Sequence, residues 1–402
     1  MQLALSRPKL ISLAAGFTDN ESLPAGEVRA LFEELLRSPK AARSALQYGS
    51  TQGDPILRQR TARRLRRLDG VGRPHSVYSP DRMIITNGSQ QLLYAVTEVL
   101  CDTGDIVLVE DPTYFVYLGI LQSRGVRARA VRMENDGLDL AHLDRVLKSL
   151  KQSGELRRVK ALYLVSYFQN PTGITTSFAK KSRVLKLLRS YERPAGHPIY
   201  LLEDAAYREL RFKGTEVRSA LAVKGGAERV IYAGTYSKPF ATGVRVGFGL
   251  LPEPVFTAVL RVKGNHDFGT ANLLQQLVAR ALASGRYQRH LGRLRKRYAR
   301  KAQVMCRALR SHFPPEVQWL EPEGGLYFWA RLPRGMKSGA KSALFRAALA
   351  KQVLYVPGGL CYANDSTRLK PDHEMRISFG SATEADIRQG IARLGGVLRK
   401  MQ

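Results

Sequence analysis

Short apolar runs that stop abruptly in polar or glycine-bearing turns, with helix-patterned stretches between them, recur through the middle of this 402-residue chain. Met83-Ile84-Ile85-Thr86, Ile106 to Val109, Val159 to Val165, Ile199 to Leu202, Val230 to Ala233 and Val246 to Leu251 are strand-length and rich in β-branched residues. Strands that alternate with helices predict an α/β fold with a mostly parallel sheet covered by helices. After the first run, Asn87-Gly88 turns the chain. Leu92, Leu93, Val96, Val99 and Leu100 then recur at helical spacing, which places Ser89 at or near a helix N-cap. The runs end in Glu110-Asp111-Pro112, in Ser166 through Gly173, in Glu203-Asp204 and in Gly234-Thr235-Tyr236-Ser237-Lys238. Chemistry-bearing residues thus collect just past the carboxyl ends of strands, where open α/β sheets bind ligands.

Beyond about residue 285 the rhythm changes. A basic helical segment from Tyr287 to Leu309 precedes a β segment, Val317 to Leu332, broken at Glu323-Gly324-Gly325. A helix near Ser342 to Ala350, a strand from Val353 to Val356 and a strand from Met375 to Phe379 follow. The expected division is an arm over 1–45 that belongs with the small domain, a large domain over 46–285 and a smaller α+β domain over 286–402. The arm is inferred from its breakers Pro8, Gly16, Pro24 and Pro39.

Composition constrains the function class at three points. Three widely spaced cysteines, Cys101, Cys306 and Cys361, form neither a disulfide framework nor a metal-ligand pattern, so no metal site and a reducing cytoplasm are expected. The segment Met1 to Lys9 has no apolar run of signal-peptide or membrane-span length. The 64 Lys+Arg against 34 Asp+Glu give a net charge of +30, which attracts anions, nucleic acid among them. Those positives are scattered over amphipathic helices (Arg58 to Arg67, Arg289 to Arg300) without a basic tail or interleaved aromatics. They predict a solvated basic surface in preference to a nucleic-acid site.

Lys238 stands among hydroxyls, Thr235 and Ser237, with Arg245 shortly downstream. A lysine amine can bond an aldehyde, while hydroxyls and a guanidinium hold a phosphate. Pyridoxal phosphate carries both groups and needs such a lysine. Asp204 ends the apolar strand Tyr200-Leu201-Leu202, where a carboxylate could keep a pyridine nitrogen protonated or merely close a turn. Gly88, Ser89 and Gln90 lie where a helix N-terminus favours an anion, although a plain N-cap serine would look the same. Asn170 precedes Pro171 and could equally be a turn former. Tyr114, after Asp111-Pro112, could stack on a ring or belong to the core.

From about Ile11 to Phe379 the chain resembles the fold-type-I, pyridoxal-phosphate-dependent aminotransferases of class I/II. It is most similar to the kynurenine/2-aminoadipate branch and to the aminotransferase-like half of certain bacterial transcription regulators. Seven segments in order carry the resemblance. They are Tyr48-Gly49 with Gly53-Asp54-Pro55, Asn87-Gly88-Ser89-Gln90, Asp111-Pro112-Thr113-Tyr114, Asn170-Pro171-Thr172-Gly173, Asp204-Ala205-Ala206-Tyr207, Ser237-Lys238 with Arg245, and Arg376-Ile377-Ser378-Phe379. The resemblance implies that Lys238 bonds the cofactor and moves the proton, and that Asp204 holds its ring nitrogen. Asn170 and Tyr207 would donate to its phenolic oxygen, and Tyr114 would cover its ring. Gly88, Ser89, Gln90, Thr235, Ser237 and Arg245 would bind its phosphate, joined by Tyr48 of a neighbouring subunit in an obligate homodimer with shared sites. Arg376, helped by Asn170, would clamp a substrate carboxylate, and Gly16 would lie in the arm that closes over it. Two departures stand out. Thr235 replaces a common serine, and Ala14-Ala15-Gly16-Phe17-Thr18-Asp19 replaces the usual Gly-Gly or Gly-Ile-Pro pattern.

The expected activity is transfer of an amino group between an L-amino acid and a 2-oxo acid. A β-lyase would share every cofactor-binding residue. A regulator sensing the cofactor would need a DNA-binding segment, for which about ten residues ahead of the resemblance leave no room. The sequence leaves the amino donor open.

Overall fold

The computed structural model describes residues 9–73 and 75–401. The reading of Met1 to Pro8, including Pro8 as a breaker, lies outside them. A two-residue strand, β1 (Ile11–Ser12), precedes the strands of the main sheet: β2 (Met83–Asn87), β3 (Ile106–Asp111), β4 (Arg127–Glu134), β5 (Gly137–Leu138), β6 (Val159–Val165), β7 (Tyr200–Asp204), β8 (Val230–Thr235) and β9 (Val246–Leu250). Five short strands follow: β10 (Gln318–Trp319), β11 (Tyr327–Arg331), β12 (Val353–Leu354), β13 (Val356–Pro357) and β14 (Glu374–Ser378).

The main sheet runs β2-β9-β8-β7-β6-β3-β4-β5. From β8 to β4 all pairings are parallel, while β9 is antiparallel to both neighbours. Strands β2, β3, β6, β7 and β8 therefore point the same way, and the start of β9 meets their carboxyl ends. Arg245, which precedes β9 in the chain, thereby joins residues that follow the other strands. Outside β4, where only Ala130 and Val131 are buried, nearly all residues of these strands are buried.

Helix 55–68 shows how local sequence sets these elements. Asp54 caps it by accepting from the Leu57 N–H at 2.7 Å, Pro55 opens it, and Leu57, Thr61, Ala62 and Leu65 form its buried stripe. Burying each such leucine is worth roughly 1.5–3 kcal/mol.

The second sheet runs β10-β11-β14-β13, antiparallel throughout, and β1 pairs in parallel with β12. The expected single strand over 353–356 is split at Tyr355 because its halves pair with different partners, β1 and β14. The β segment expected over 317–332 shrinks to β10 and β11. The N-terminal segment is not the broken arm expected. Helices Ala25–Leu36 and Pro39–Leu46 occupy its second half, with Pro24 at the N-cap of one and Pro39 opening the other. Proline is harmless there, since a first-turn N–H has no helical partner anyway.

The basic helix Arg286–His312 binds this segment electrostatically. Arg286 pairs with Glu34 at 2.5 Å, Arg293 with Glu27, Arg297 with Asp19 and Glu21, and Lys301 with Asp19 at 2.9 Å. Part of the basic excess on this helix is therefore committed within the chain.

Candidate active site

The carboxyl edge of the main sheet, the N-terminal segment and the second sheet enclose a cavity of about 510 Å³. Lys238, three residues past β8, lines it and donates to the Gly16 carbonyl at 2.7 Å. Desolvation, then the nearby charges of Arg376 and Arg245, push its amine down to about 8. At pH 7 about a tenth of such an amine is neutral, against roughly one part in 3,000 for an ordinary lysine. Because the lowered group gains its nucleophilic form as pH rises through 8, its reaction with an aldehyde such as pyridoxal phosphate should accelerate about fivefold between pH 7 and 8 and level off above 9. Stopped-flow absorbance on cofactor-free protein measures this.

Asp204 ends β7, fully enclosed. Its Oδ2 accepts from the Tyr163 hydroxyl at 2.9 Å and its Oδ1 from the Ala206 N–H at 3.0 Å. Burial pushes this carboxyl up to about 6 against those two hydrogen bonds. Among the described residues no lysine or arginine pairs with it, so the pocket contains a carboxylate that lacks a cation.

At the other end, helix Gly88–Leu100 begins directly after β2. Its N-cap is Asn87, whose side chain caps nothing, so Ser89 is not the cap but the second helical residue, lining the cavity with Gln90. Uncapped first-turn N–H groups favour an anion. Facing them, the Thr235 hydroxyl donates to Ser237 Oγ at 3.0 Å, and Arg245 Nη1 donates to the same oxygen at 3.3 Å. Arg245 holds a left-handed backbone, φ 49°. Its guanidinium lies where a side chain at Gly88 would intrude, since a Cβ there would stand 2.4 Å from Nη2. Gly88 itself has φ 70°, so its role is conformational and steric, not one of lining.

Arg376, on β14, donates from Nη1 to Asn170 Oδ1 and from Nη2 to the Ala14 carbonyl, each at 2.7 Å. Its Nε is buried without a partner, and its guanidinium lies over the rings of Tyr327 (4.3 Å) and Phe115 (5.4 Å). It is a buried cation whose described partners are all neutral. Asn170 keeps its amide nitrogen as a donor. The Tyr207 hydroxyl bonds that of Tyr327 at 3.0 Å. Tyr114 also lines the cavity. Gly16 admits no larger residue, because a Cβ would come 2.5 Å from the Tyr327 hydroxyl.

The structure therefore gathers Gly16, Ser89, Gln90, Tyr114, Asn170, Asp204, Tyr207, Thr235, Ser237, Lys238, Arg245 and Arg376 around one cavity. Tyr48 stands apart from it, 80% exposed with its ring against Phe268. Sequence reasoning missed Tyr163 and Tyr327. A hydroxyl-bearing ring inside the aliphatic strand Ala161-Leu162-Tyr163-Leu164-Val165 was an available signal for the first. Nothing local marked the second.

Comparison with known proteins followed the same direction. Residues 8–394 match the family described as aminotransferase class I and II. A 2-aminoadipate transaminase of Thermus thermophilus is 33% identical over 98% of this chain and 91% of its own length. An aromatic-amino-acid aminotransferase of Thermococcus litoralis is 32% identical over 97% of this chain and 88% of its own. The crystal structure of a Pyrococcus horikoshii kynurenine aminotransferase superposes with a TM-score of 0.89 at 30% identity, covering all of this chain and 93% of that one.

Proposed function

The chain belongs to the class I and II aminotransferase family and is a pyridoxal-phosphate-dependent amino-acid aminotransferase of that fold, and we propose that the cavity around Lys238 is where it works. The observation that carries this assignment is the convergence of a lysine near pKa 8, an uncompensated buried carboxylate and an uncompensated buried guanidinium in one enclosed space.

The residues fit the cofactor. Asp204 lacks a cation, which a protonated ring nitrogen would supply, and the uncapped helix start with Thr235, Ser237 and Arg245 lacks an anion, which a phosphate would supply. When bound, pyridoxal phosphate provides an aldehyde to take up nitrogen and a ring to receive electron density. Lys238 would accept and return the substrate's Cα proton, since its amine changes charge close to neutral pH. Arg376 would orient the substrate through its carboxylate, and the Tyr207–Tyr327 hydroxyl pair, Asn170 and Tyr114 would position the cofactor's ring and substituents.

The division at residues 45 and 285 suits this reading, with 46–285 holding the cofactor and the remainder closing over it. Gly16 reaches Lys238 from the N-terminal segment, which β1 ties to β12, and Arg376 comes from the second sheet. The exposed apolar residues Leu46 (70%), Tyr48 (80%) and Phe268 (61%) support a homodimer in which Tyr48 completes the partner's phosphate site. Three buried free cysteines support a reducing cytoplasm.

The test is a half-reaction. One amino acid added to the cofactor-loaded protein should yield one equivalent of 2-oxo acid and no ammonia, and turnover should resume only on adding a second 2-oxo acid. Ammonia and pyruvate released from a β-substituted amino acid at a comparable rate would replace this assignment by a lyase. Light scattering should give twice the chain mass.

A further inference from the structure

We infer that Glu110 is a positioning residue of the active site: working through Gln169, its carboxyl fixes the two turns that carry Tyr114 and Asn170 into the cavity. The inference rests on the assignment of that cavity to the reaction. Glu110 is the last residue but one of β3, where this strand parts from β6. Paired residues of the two strands end at Val109 and Tyr163, and beyond them the Glu110 side chain takes over. Its Oε2 accepts from the Val165 N–H and from Gln169 Nε2, each at 2.9 Å. On its other flank β6 stays joined to β7, the Ser166 N–H donating to the Asp204 carbonyl at 3.0 Å.

Gln169 is the junction. Its amide also donates to the Pro112 carbonyl at 3.0 Å, and its Oε1 accepts from the Thr172 N–H at 3.1 Å and the Thr172 hydroxyl at 2.6 Å. A carbonyl can only accept and a backbone N–H can only donate, so this amide cannot be turned over. One side chain therefore ties the turn that delivers Tyr114, the N-cap of helix Phe115–Ser123, to the turn that delivers Asn170. Asn170 in turn holds Arg376 at 2.7 Å. Glu110 and Gln169 are both 0% exposed, so their own chain already covers them and a second subunit does not reach them.

This strut works with a neutral carboxyl. Oε1 is buried without a described partner, and ionisation would leave it bare. Burial pushes the group up to about 8 against the hydrogen bonds from Gln169 and Val165. The charge of Asp204 on β7 adds to the rise, and Lys181 of helix Phe178–Ala195 opposes it. As pH climbs through that value a buried anion forms at the junction and displaces both turns.

The experiment measures kcat/KM of the loaded enzyme with the amino acid it turns over fastest. Glu110→Leu and Gln169→Leu should each lower it about 10- to 100-fold, the effect of misplacing reacting groups by about 1 Å. Combined, they should lose no more than the worse single variant, because both break one strut. Glu110→Gln offers a carbonyl oxygen for both bonds and cannot ionise. Its rate relative to the parent's should be near unity at pH 7 and rise about tenfold by pH 9. That ratio cancels the titrations of Lys238 and of the substrate amine, which the two proteins share. Losses that multiply in the double variant, or single variants that melt lower yet keep the parent's kcat/KM, would overturn the inference. If Glu110→Leu does not fold, Gln169→Leu at the parent's rate overturns it equally. A ratio flat from pH 7 to about pH 9 would overturn the neutral carboxyl as the working form. A parent that turns over no amino acid would overturn the assignment of the cavity and this inference together.

Discussion

Lys238→Ala should lower kcat by about 10,000-fold, the upper end of what a positioned proton-transfer group contributes. Among the described residues no other lysine lines the cavity. Loss of charge alone does not explain such a fall. Lys238→Arg keeps the charge but cannot become neutral near pH 7, so it should be as inactive as the alanine variant. A purely electrostatic role for the lysine would instead leave the arginine variant active. A small primary amine in the buffer should restore part of the alanine variant's rate, because it supplies a base to the space vacated. The fold should survive. Burial and two neighbouring cations hold this amine at about 8, below its unfolded value, so at pH 7 the protonated group opposes folding and the opposition fades as pH rises through 8 toward 10.5. The alanine variant should therefore melt no lower than the parent at neutral pH. Retention of more than about a hundredth of the parent rate would remove Lys238 from the reaction.

The same residue illustrates what the sequence made legible. Lys238, Asp204 and Asn170 follow aliphatic runs that end sharply, and such a run terminated by a polar tripeptide has few structural meanings, so the strand tips could be read directly. The direction of β9 could not. Val246 to Leu250 is strand-length and apolar like the parallel strands, and its reversal depends on the short return between Lys238 and Val246, whose left-handed turn at Arg245 is visible only in space. Strands β1, β12 and β13 have two residues each, too few to show any period, and β1 meets its partner more than 300 residues away. Pro24 and Pro39 were read as breakers because proline stops a helix from within. At a first turn it starts one, and only the flanking geometry separates the two cases. Tyr163 and Tyr327 acquire their roles from where β6 and β11 place their hydroxyls, 2.9 Å from Asp204 and 3.0 Å from Tyr207, distances that no spacing in the chain encodes.

Arg376 should show the opposite pattern from a structural residue. Replacing it by methionine is expected to reduce kcat/KM for amino acids by about 100- to 1,000-fold, the effect of removing one side of a buried charge pair. Arg376→Lys should lose most of the same factor, because an ammonium cannot present two parallel donors to a carboxylate. In the free protein, however, this guanidinium is a burden. It is 3% exposed, its described hydrogen bonds go only to Asn170 and the Ala14 carbonyl, and its Nε has no partner. A buried charge held by neutral acceptors is poorly compensated, and aromatic rings at 4.3 and 5.4 Å offset the cost only in part. Arg376→Met should accordingly melt at or above the parent temperature without substrate, bind the cofactor equally well, and lose the extra stabilisation that saturating amino acid confers on the parent. If the arginine served chiefly to fasten Ala14 to Asn170, melting temperature would fall and the ligand-induced shift would persist. Retained discrimination between an amino acid and the amine lacking its carboxylate would likewise exclude the clamp, since among the described residues Arg245, beside Ser237, is the one other arginine that lines the cavity.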